Sequence, residues 1–141
     1  GVVSVLAPEA SPLLGLVSVI SPIIAGGNTC IVHASEQYPL PAISFAEVLN
    51  SSDVPGGVVN IITGIRSELV EHFSSHMDVN SILYTDELDK ETKTKIDELA
   101  SNNIKRVVKK NISDWYEEDS ANPYFIVDFQ ETKTTWHPVG F

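Results

Sequence analysis

The chain has 141 residues and a formal net charge of −10 at pH 7, and 43% of its residues are hydrophobic. That length fits one domain with its own core, and the acidic charge argues against nucleic acid and anionic membranes, which attract clustered Lys and Arg. The single cysteine, Cys30, excludes an internal disulfide and favours a reducing, cytoplasmic setting. The chain begins at Gly1 with neither a methionine nor a signal-peptide pattern, as a piece of a longer polypeptide would.

Residues 1–7 (GVVSVLA) form a β-branched apolar run that is typical of a strand buried on both faces. A helix is predicted over 12–25, with Ser11 as its N-cap and a Gly-Gly pair at its end. Pro22 interrupts this apolar helix, which is also shorter than the ~20 residues that a membrane span needs.

The chain up to residue 111 repeats this alternation of strand and helix. Further strands are predicted over 29–33, 58–63, 81–84 and 103–109, and further helices over 40–50, 67–75 and 86–100. Short apolar strands that alternate with helices imply a parallel sheet covered on both faces. With right-handed crossovers, the expected fold class is α/β, a Rossmann-like doubly wound sheet of about five strands.

Beyond residue 111 the alternation stops. Residues 112–122 are acidic and irregular, and we interpret them as a solvated linker rather than a calcium site, because the acidic spacing is not that of an EF-hand. The acidic residues are Asp114, Glu117, Glu118 and Asp119. Residues 123–130 alternate between two sets of side chains, and residues 123–141 are interpreted as one or two strands that could add to a sheet edge. Trp136 and Phe141 are expected to be buried against a partner.

Five stretches between residues 1 and 79 carry recognisable motifs in one order. They are G-V-V with A-P and S-P-L-L (1–14), P-I-I-A-G-G-N-T (22–29), S-E-Q with P-L (35–40), P-G-G-V-V-N with T-G (55–64), and S-H with D-V (75–79). They resemble the aldehyde-dehydrogenase motifs G-V-V…P-W-N-F-P-L, P-A-L-A-A-G-N-T, A-E-Q-T-P-L, P-P-G-V-V-N…T-G and S-H-P-D-V. Residues 131–136 (ETKTTW) are similar to the family's C-terminal strand, which pairs with a neighbouring subunit.

The resemblance implies a domain plan. Residues 1–111 would be a degenerate NAD-binding-type domain and residues 123–141 an oligomerisation segment, while the family's catalytic domain is skipped between them. The shortness of the chain and the wording S-D-V-P-G-G-V-V-N (52–60) most resemble the shortened C-terminal dehydrogenase unit of family-sixteen aldehyde dehydrogenases.

The resemblance also implies that the chemistry is lost. Aldehyde oxidation needs a cysteine nucleophile, an oxyanion donor and a general base. Cys30 falls inside the second predicted strand as a packed side chain. The family's asparagine donor aligns with Ala10, and its general-base motif E-L-G-G-K aligns with residues 109–111, which contain no carboxylate. We expect no catalytic residue in this chain.

The same resemblance implies that part of an NAD(P) site is retained. The family's adenosine-ribose lysine aligns with His33 and its glutamate with Glu36, so these two are vestigial cofactor-binding candidates; Glu36 can equally be a loop or helix-start carboxylate. The pyrophosphate motif F-T-G-S-T-x-x-G aligns with residues 84–90, which lack both glycines. Asp86 and Glu87 bring negative charge there and can cap their own helix. We therefore expect no bound cofactor. If the chain binds one, the resemblance implies NAD(P).

A metal site is not predicted. His72 and His76 are four residues apart on a predicted helix and could face one ion. Only Glu68 or Asp78 lies near them in sequence as a further ligand, and the motif is too short to carry the assignment.

Three functions stay open. The first is a non-catalytic structural or assembly module of a larger aldehyde dehydrogenase, whose residues 123–141 pair with another dehydrogenase unit. The second is a part of an NAD(P)-dependent aldehyde oxidoreductase whose active site lies elsewhere in the polypeptide. The third and weakest is a nucleotide-sensing module that retains adenosine contacts through Glu36.

Overall fold

The structure is a computed structural model that describes residues 1–85, 88–138 and 140. Its strands are β1 (Val2–Leu6), β2 (Thr29–His33), β3 (Val59–Ile62), β4 (Ser81–Thr85) and β5 (Arg106–Lys110). Its α-helices are α1 (Leu14–Ala25), α2 (Leu40–Ser51), α3 (Arg66–Ser75) and α4 (Lys90–Ser101), and 3-10 helices follow at Glu118–Ala121 and Pro123–Phe129.

The strands form one parallel sheet in the order β3-β2-β1-β4-β5. The predicted α/β, doubly wound class is therefore confirmed. In the central strands Leu6 lies opposite His33, and Val5 lies opposite Leu83. The chain passes from β1 to β2 and β3 on one side and then returns to β4 on the other side of β1, so the strand order reverses between β1 and β4. In doubly wound folds, a ligand crevice forms at the carboxyl ends of the strands at such a switch point.

Both faces of the sheet are covered, which explains why the strands read as continuous apolar runs. One core lies under the wholly uncharged helix α1, whose Leu16, Ile20 and Ile23 are almost fully buried. A second core lies under α3 and α4. Its buried members are Leu6, Val70, Phe73, Ile82, Tyr84 and Ile96. In the part of the chain that the structure describes, no helix is long and apolar enough to cross a membrane.

Helix α4 begins later than the predicted residue 86. Asp89 is its N-cap, and the Asp89 carboxylate accepts a hydrogen bond from the Thr92 amide at 2.9 Å. An aspartate just before the first turn satisfies a free N–H group there, so Asp89 takes the capping role expected of the two preceding acids. Asp86 and Glu87 themselves lie outside the described residues.

Residues 112–130 form a segment that packs along α1 and β5, and we call it the strap. Trp115 and Phe129 are each 7% exposed and belong to the core under α1. Arg106 of β5 donates to two strap carbonyls at 2.8 and 2.9 Å. The four acidic residues of the predicted linker, Asp114, Glu117, Glu118 and Asp119, are exposed, as the linker interpretation expects. That interpretation did not anticipate the buried Trp115.

The predicted strand over 123–130 is wrong for this chain, because Pro123–Phe129 is a 3-10 helix. The Asn122 side chain accepts from the Tyr124 amide at 3.0 Å, and Pro123 takes the first helical position. This Asn-Pro start signal outweighs the alternation of apolar residues that suggested a strand. Residues 131–138, which we call the tail, are exposed and carry neither helix nor strand.

Candidate functional site

The candidate site is the crevice at the carboxyl ends of the strands, where doubly wound folds bind their ligands. The loop after β1 brings Glu9 to this edge, the loop after β2 brings residues 35–38, and the turn after β3 leads into α3 at Arg66. These three loops meet because β1, β2 and β3 are neighbours in the sheet.

The Glu9 carboxylate is the centre of the contacts at this edge. It accepts hydrogen bonds from the Ser35 hydroxyl at 2.6 Å and from the amides of Glu36 and Gln37 at 3.0 and 3.3 Å. Arg66 Nη2 lies 2.5 Å from the same carboxylate, in an ion pair whose side chains are 14% and 23% exposed for Arg66 and Glu9. This single carboxylate therefore connects the three loops.

Two opposing effects set the pKa of Glu9. Burial raises it, but the hydrogen bonds from Glu36, Ser35 and Gln37 and the Arg66 charge outweigh burial and leave the pKa below its ordinary value. Glu9 is therefore ionised at neutral pH, and it is a poor proton acceptor for catalysis.

Arg66 is the second residue that connects the loops at this edge. Besides Glu9, its Nη2 donates to the Ala7 carbonyl at 2.7 Å, while its buried Nε has no hydrogen-bond partner. The Arg66 amide, at the start of α3, donates to the Glu36 carboxylate at 2.8 Å. Glu36 thus satisfies a free N–H group at a helix start, which is the structural alternative weighed for it.

His33 is the other predicted cofactor residue, and its ring is fully buried at the end of β2. Nε2 lies 2.9 Å from the Gly64 carbonyl, so Nε2 carries the proton and donates. Nδ1 is buried and has no partner. The structure thus brings His33 and Glu36 to one edge, but it ties both to the turn between β3 and α3.

Cys30 lies in the middle of β2 and is fully buried. Burial raises the pKa of its thiol to about 12. A nucleophilic cysteine must be reachable and ionised near neutral pH, and this one is neither. The expectation that Cys30 is a packing residue agrees with its position.

The position aligned with the family's general base holds Lys109, Lys110 and Asn111, and no carboxylate. Lys109 Nζ lies 2.9 Å from the Asp97 carboxylate on α4, and this contact raises the pKa of Lys109. Lys110 forms an ion pair with Asp128 of the strap and lies 3.4 Å from the centroid of the Phe125 ring. Both side chains therefore join β5 to neighbouring elements.

The two histidines weighed as metal ligands lie at the end of α3. His76 follows the helix as its C-cap, and its Nδ1 accepts from the Asp78 amide at 3.3 Å. Within residues 1–85, 88–138 and 140 no group of three His, Cys, Asp or Glu side chains could hold a metal ion. The absence of a metal site stays a prediction.

Sequence reasoning missed Glu9 and Arg66. A signal for Glu9 was present, because it is the only Asp, Glu, Lys or Arg among the first 35 residues. A single charge in so apolar a stretch needs a partner when it is half-buried. Because Arg66 is far from Glu9 in the sequence, only the folded structure identifies it as that partner.

The fold and the crevice define a doubly wound domain of the dinucleotide-binding type. A family model described as "Aldehyde dehydrogenase family" matches residues 1–110, and the chain belongs to that family. Hydroxyisobutyraldehyde dehydrogenase of Mycolicibacterium austroafricanum is 39% identical over 85 residues, which are 60% of this chain and 17% of that protein. "Aldehyde dehydrogenase, cytosolic 1" of Elephantulus edwardii is 37% identical over 108 residues, 76% of this chain and 21% of that protein.

Solved structures agree. An aldehyde dehydrogenase from Bartonella henselae matches with a TM-score of 0.72 and 32% identity, covering 79% of this chain and 23% of that one. A betaine aldehyde dehydrogenase variant from Staphylococcus aureus, in complex with NAD+, matches with a TM-score of 0.72 and 31% identity over 79% of this chain and 22% of that one. The chain thus spans about a fifth of the length of these relatives.

Proposed function

We propose that this chain is a non-catalytic aldehyde-dehydrogenase-like domain that acts as a structural or assembly module of a larger aldehyde dehydrogenase. One observation carries the proposal: at the carboxyl edge of the sheet, Glu9 and Arg66 tie together the loops after β1, β2 and β3, and Glu36, a position aligned with the family's ribose contacts, is bound into this network. The further proposal that it corresponds to the C-terminal unit of a family-sixteen enzyme rests on the resemblance of residues 52–60.

The two vestigial cofactor residues support the absence of a working NAD(P) site. A ribose needs a carboxylate that is free to accept from its hydroxyls, but Glu36 accepts from the Arg66 amide at 2.8 Å. His33 is fully buried and hydrogen-bonded to Gly64, so its ring does not face a ligand. As placed here, His33 offers no ribose contact, and Glu36 offers only the acceptor sites that the Arg66 amide leaves.

The assembly part of the proposal rests on the tail. Its residues are exposed throughout, and Trp136 is 84% exposed. A large indole on an extended, unpaired segment is stabilised when a partner covers it. We propose that the tail pairs with another dehydrogenase unit, in the same polypeptide or in a second subunit, and that the protein acts in the cytoplasm.

Removing this segment from its parent enzyme tests the assembly role. A parent that lacks residues 1–141 should lose its native oligomeric state in sedimentation velocity, because the tail no longer reaches its partner. A Trp136→Ala parent should show a weaker form of the same loss, and Tyr116→Ala, at an equally exposed aromatic of the strap, serves as the control. Unchanged assembly and turnover without the segment would contradict the proposal.

A second candidate is a part of an NAD(P)-dependent aldehyde oxidoreductase whose active site lies elsewhere in the polypeptide. The observation that favours it is coverage, since the chain matches only about a fifth of relatives such as the "NADP/NAD-dependent aldehyde dehydrogenase PuuC" of Escherichia coli. Under this reading, removal of the segment lowers turnover while the oligomer persists. Nucleotide sensing is the weaker third candidate, and it requires AMP to bind at Glu36.

A further inference from the structure

The surroundings of Glu9 have the composition of an anion-binding site. At least four donors converge on one carboxylate: the Ser35 hydroxyl, the amides of Glu36 and Gln37, and the Arg66 guanidinium. Successive backbone N–H groups beside a cation are a recurring way in which proteins bind carboxylates and phosphates. We call this set of donors the nest.

The nest is held in place independently of Glu9. The Ser35 side chain is almost fully buried, and its hydroxyl also accepts from the Tyr38 amide at 3.0 Å, which fixes the turn after β2. Arg66 is held by the Ala7 carbonyl at 2.7 Å. Its buried Nε has no partner, so the guanidinium has an unused donor beside the bound carboxylate.

We propose that the nest is a binding site for a small anion, a carboxylate or a phosphate group, and that Glu9 fills it from within the chain as an intramolecular ligand. The Glu9 side chain is 23% exposed, so the site reaches solvent. A tethered carboxylate has a high effective concentration and excludes free anions from the intact chain. An external anion enters only when Glu9 withdraws. This inference does not depend on the assembly role proposed above.

Chemical rescue of a Glu9→Ala chain tests the site. Removing the carboxylate should lower the thermal midpoint by several degrees, because the buried Ser35 hydroxyl and the half-buried Arg66 guanidinium lose their acceptor. Sodium acetate at constant ionic strength, with chloride as the replaced salt, should restore the midpoint along a saturable curve. Inorganic phosphate forms the second arm. Rescue by acetate alone would assign the site to carboxylates, and rescue by phosphate would assign it to phosphate groups.

Two matched variants make the result specific. Glu71→Ala removes an exposed surface carboxylate that pairs with Lys95 at 3.0 Å, and it should show no rescue. The double variant Glu9→Ala/Ser35→Ala removes one donor of the nest and should respond to acetate at least tenfold more weakly. If Glu9→Ala does not fold in chloride, recovery of its fold when acetate replaces chloride, followed by the amide NMR shifts of Glu36 and Gln37, gives the same readout. A folded Glu9 variant with no saturable response, or one equal to that of Glu71→Ala, would overturn the proposal.

Discussion

At the scale of single residues, Glu9 makes the contacts that most clearly support the proposal that this domain holds no cofactor. Its carboxylate accepts hydrogen bonds from the backbone amides of Glu36 and Gln37, and it pairs with Arg66 at the start of α3. The residues singled out by family resemblance, His33 and Glu36, are explained by contacts to the turn before α3. Local contacts therefore account for the retained residues.

The lowered pKa of Glu9 predicts a pH dependence of folding. A carboxylate whose folded-state pKa is depressed contributes stability that is fully present above the ordinary glutamate pKa of roughly 4.3 and is lost as pH falls through the folded-state value. Glu9→Gln should lower the free energy of unfolding at pH 7 by about 1–3 kcal/mol. In urea titrations the gap between the two proteins should narrow below pH 4. A gap that is the same at pH 7 and pH 3.5 would contradict this assignment.

Ile104 gives a second prediction at this scale. It is 94% exposed and has a φ of 54°, in the left-handed region that strains a β-branched residue. Ile104→Asn should raise the free energy of unfolding by about 1 kcal/mol, because asparagine tolerates this conformation. Ile104→Val keeps the β-branch and the strain and should leave stability unchanged. Chemical denaturation measures the free energy of unfolding of the parent chain and of the two variants. Equal values for all three would show that the turn is unstrained.

At the scale of elements, the sequence predicts the regular part of the chain well. The strand predicted over 29–33 coincides with β2, and the helix predicted over 12–25 ends at Ala25 as expected but begins at Leu14, without Ser11 as its N-cap. These predictions succeed because burial on both faces leaves a continuous apolar signature. The predicted start of α4 and the predicted strand over 123–130 were wrong, because a polar capping residue, Asp89 or Asn122, determines where each helix begins.

The strap is an element that no periodicity predicts, because its buried core residues are two widely separated aromatic side chains, Trp115 and Phe129. Trp115 packs against α1 where Gly15 allows a close approach; a Cβ atom at Gly15 would lie 3.2 Å from the indole. The strap also lies beyond residues 1–110, the part that matches the family. It therefore covers α1 with a segment from outside the family's common domain.

The two tryptophans test the role of the strap. Trp115 is 7% exposed and Trp136 is 84% exposed. Trp115→Ala should lower the free energy of unfolding by about 3–5 kcal/mol, since it removes a large side chain from the core. Trp136→Ala should change it by less than about 0.5 kcal/mol in the isolated chain. Urea unfolding measures both, and a stable Trp115→Ala chain would mean that the strap is dispensable.

At the scale of the whole molecule, a doubly wound sheet of the family's type is combined with residues that support the proposal of a non-catalytic module. Within residues 1–110, which match the family, the single cysteine is buried with a raised pKa, and Glu9 pairs with Arg66 at the carboxyl edge of the sheet. Fold alone does not fix function, so the named residues have to decide. They favour a domain retained for its shape and for its exposed tail.

The central claim is that this crevice no longer binds the dinucleotide. Titration calorimetry of the 141-residue chain with NAD measures this most directly. We predict no binding heat up to millimolar NAD, because His33 is fully buried, Glu36 accepts from the Arg66 amide, and Asp86 and Glu87 stand in the segment aligned with the pyrophosphate motif. Micromolar binding that Glu36→Gln abolishes would contradict the claim and would return the chain to the cofactor-carrying members of its family.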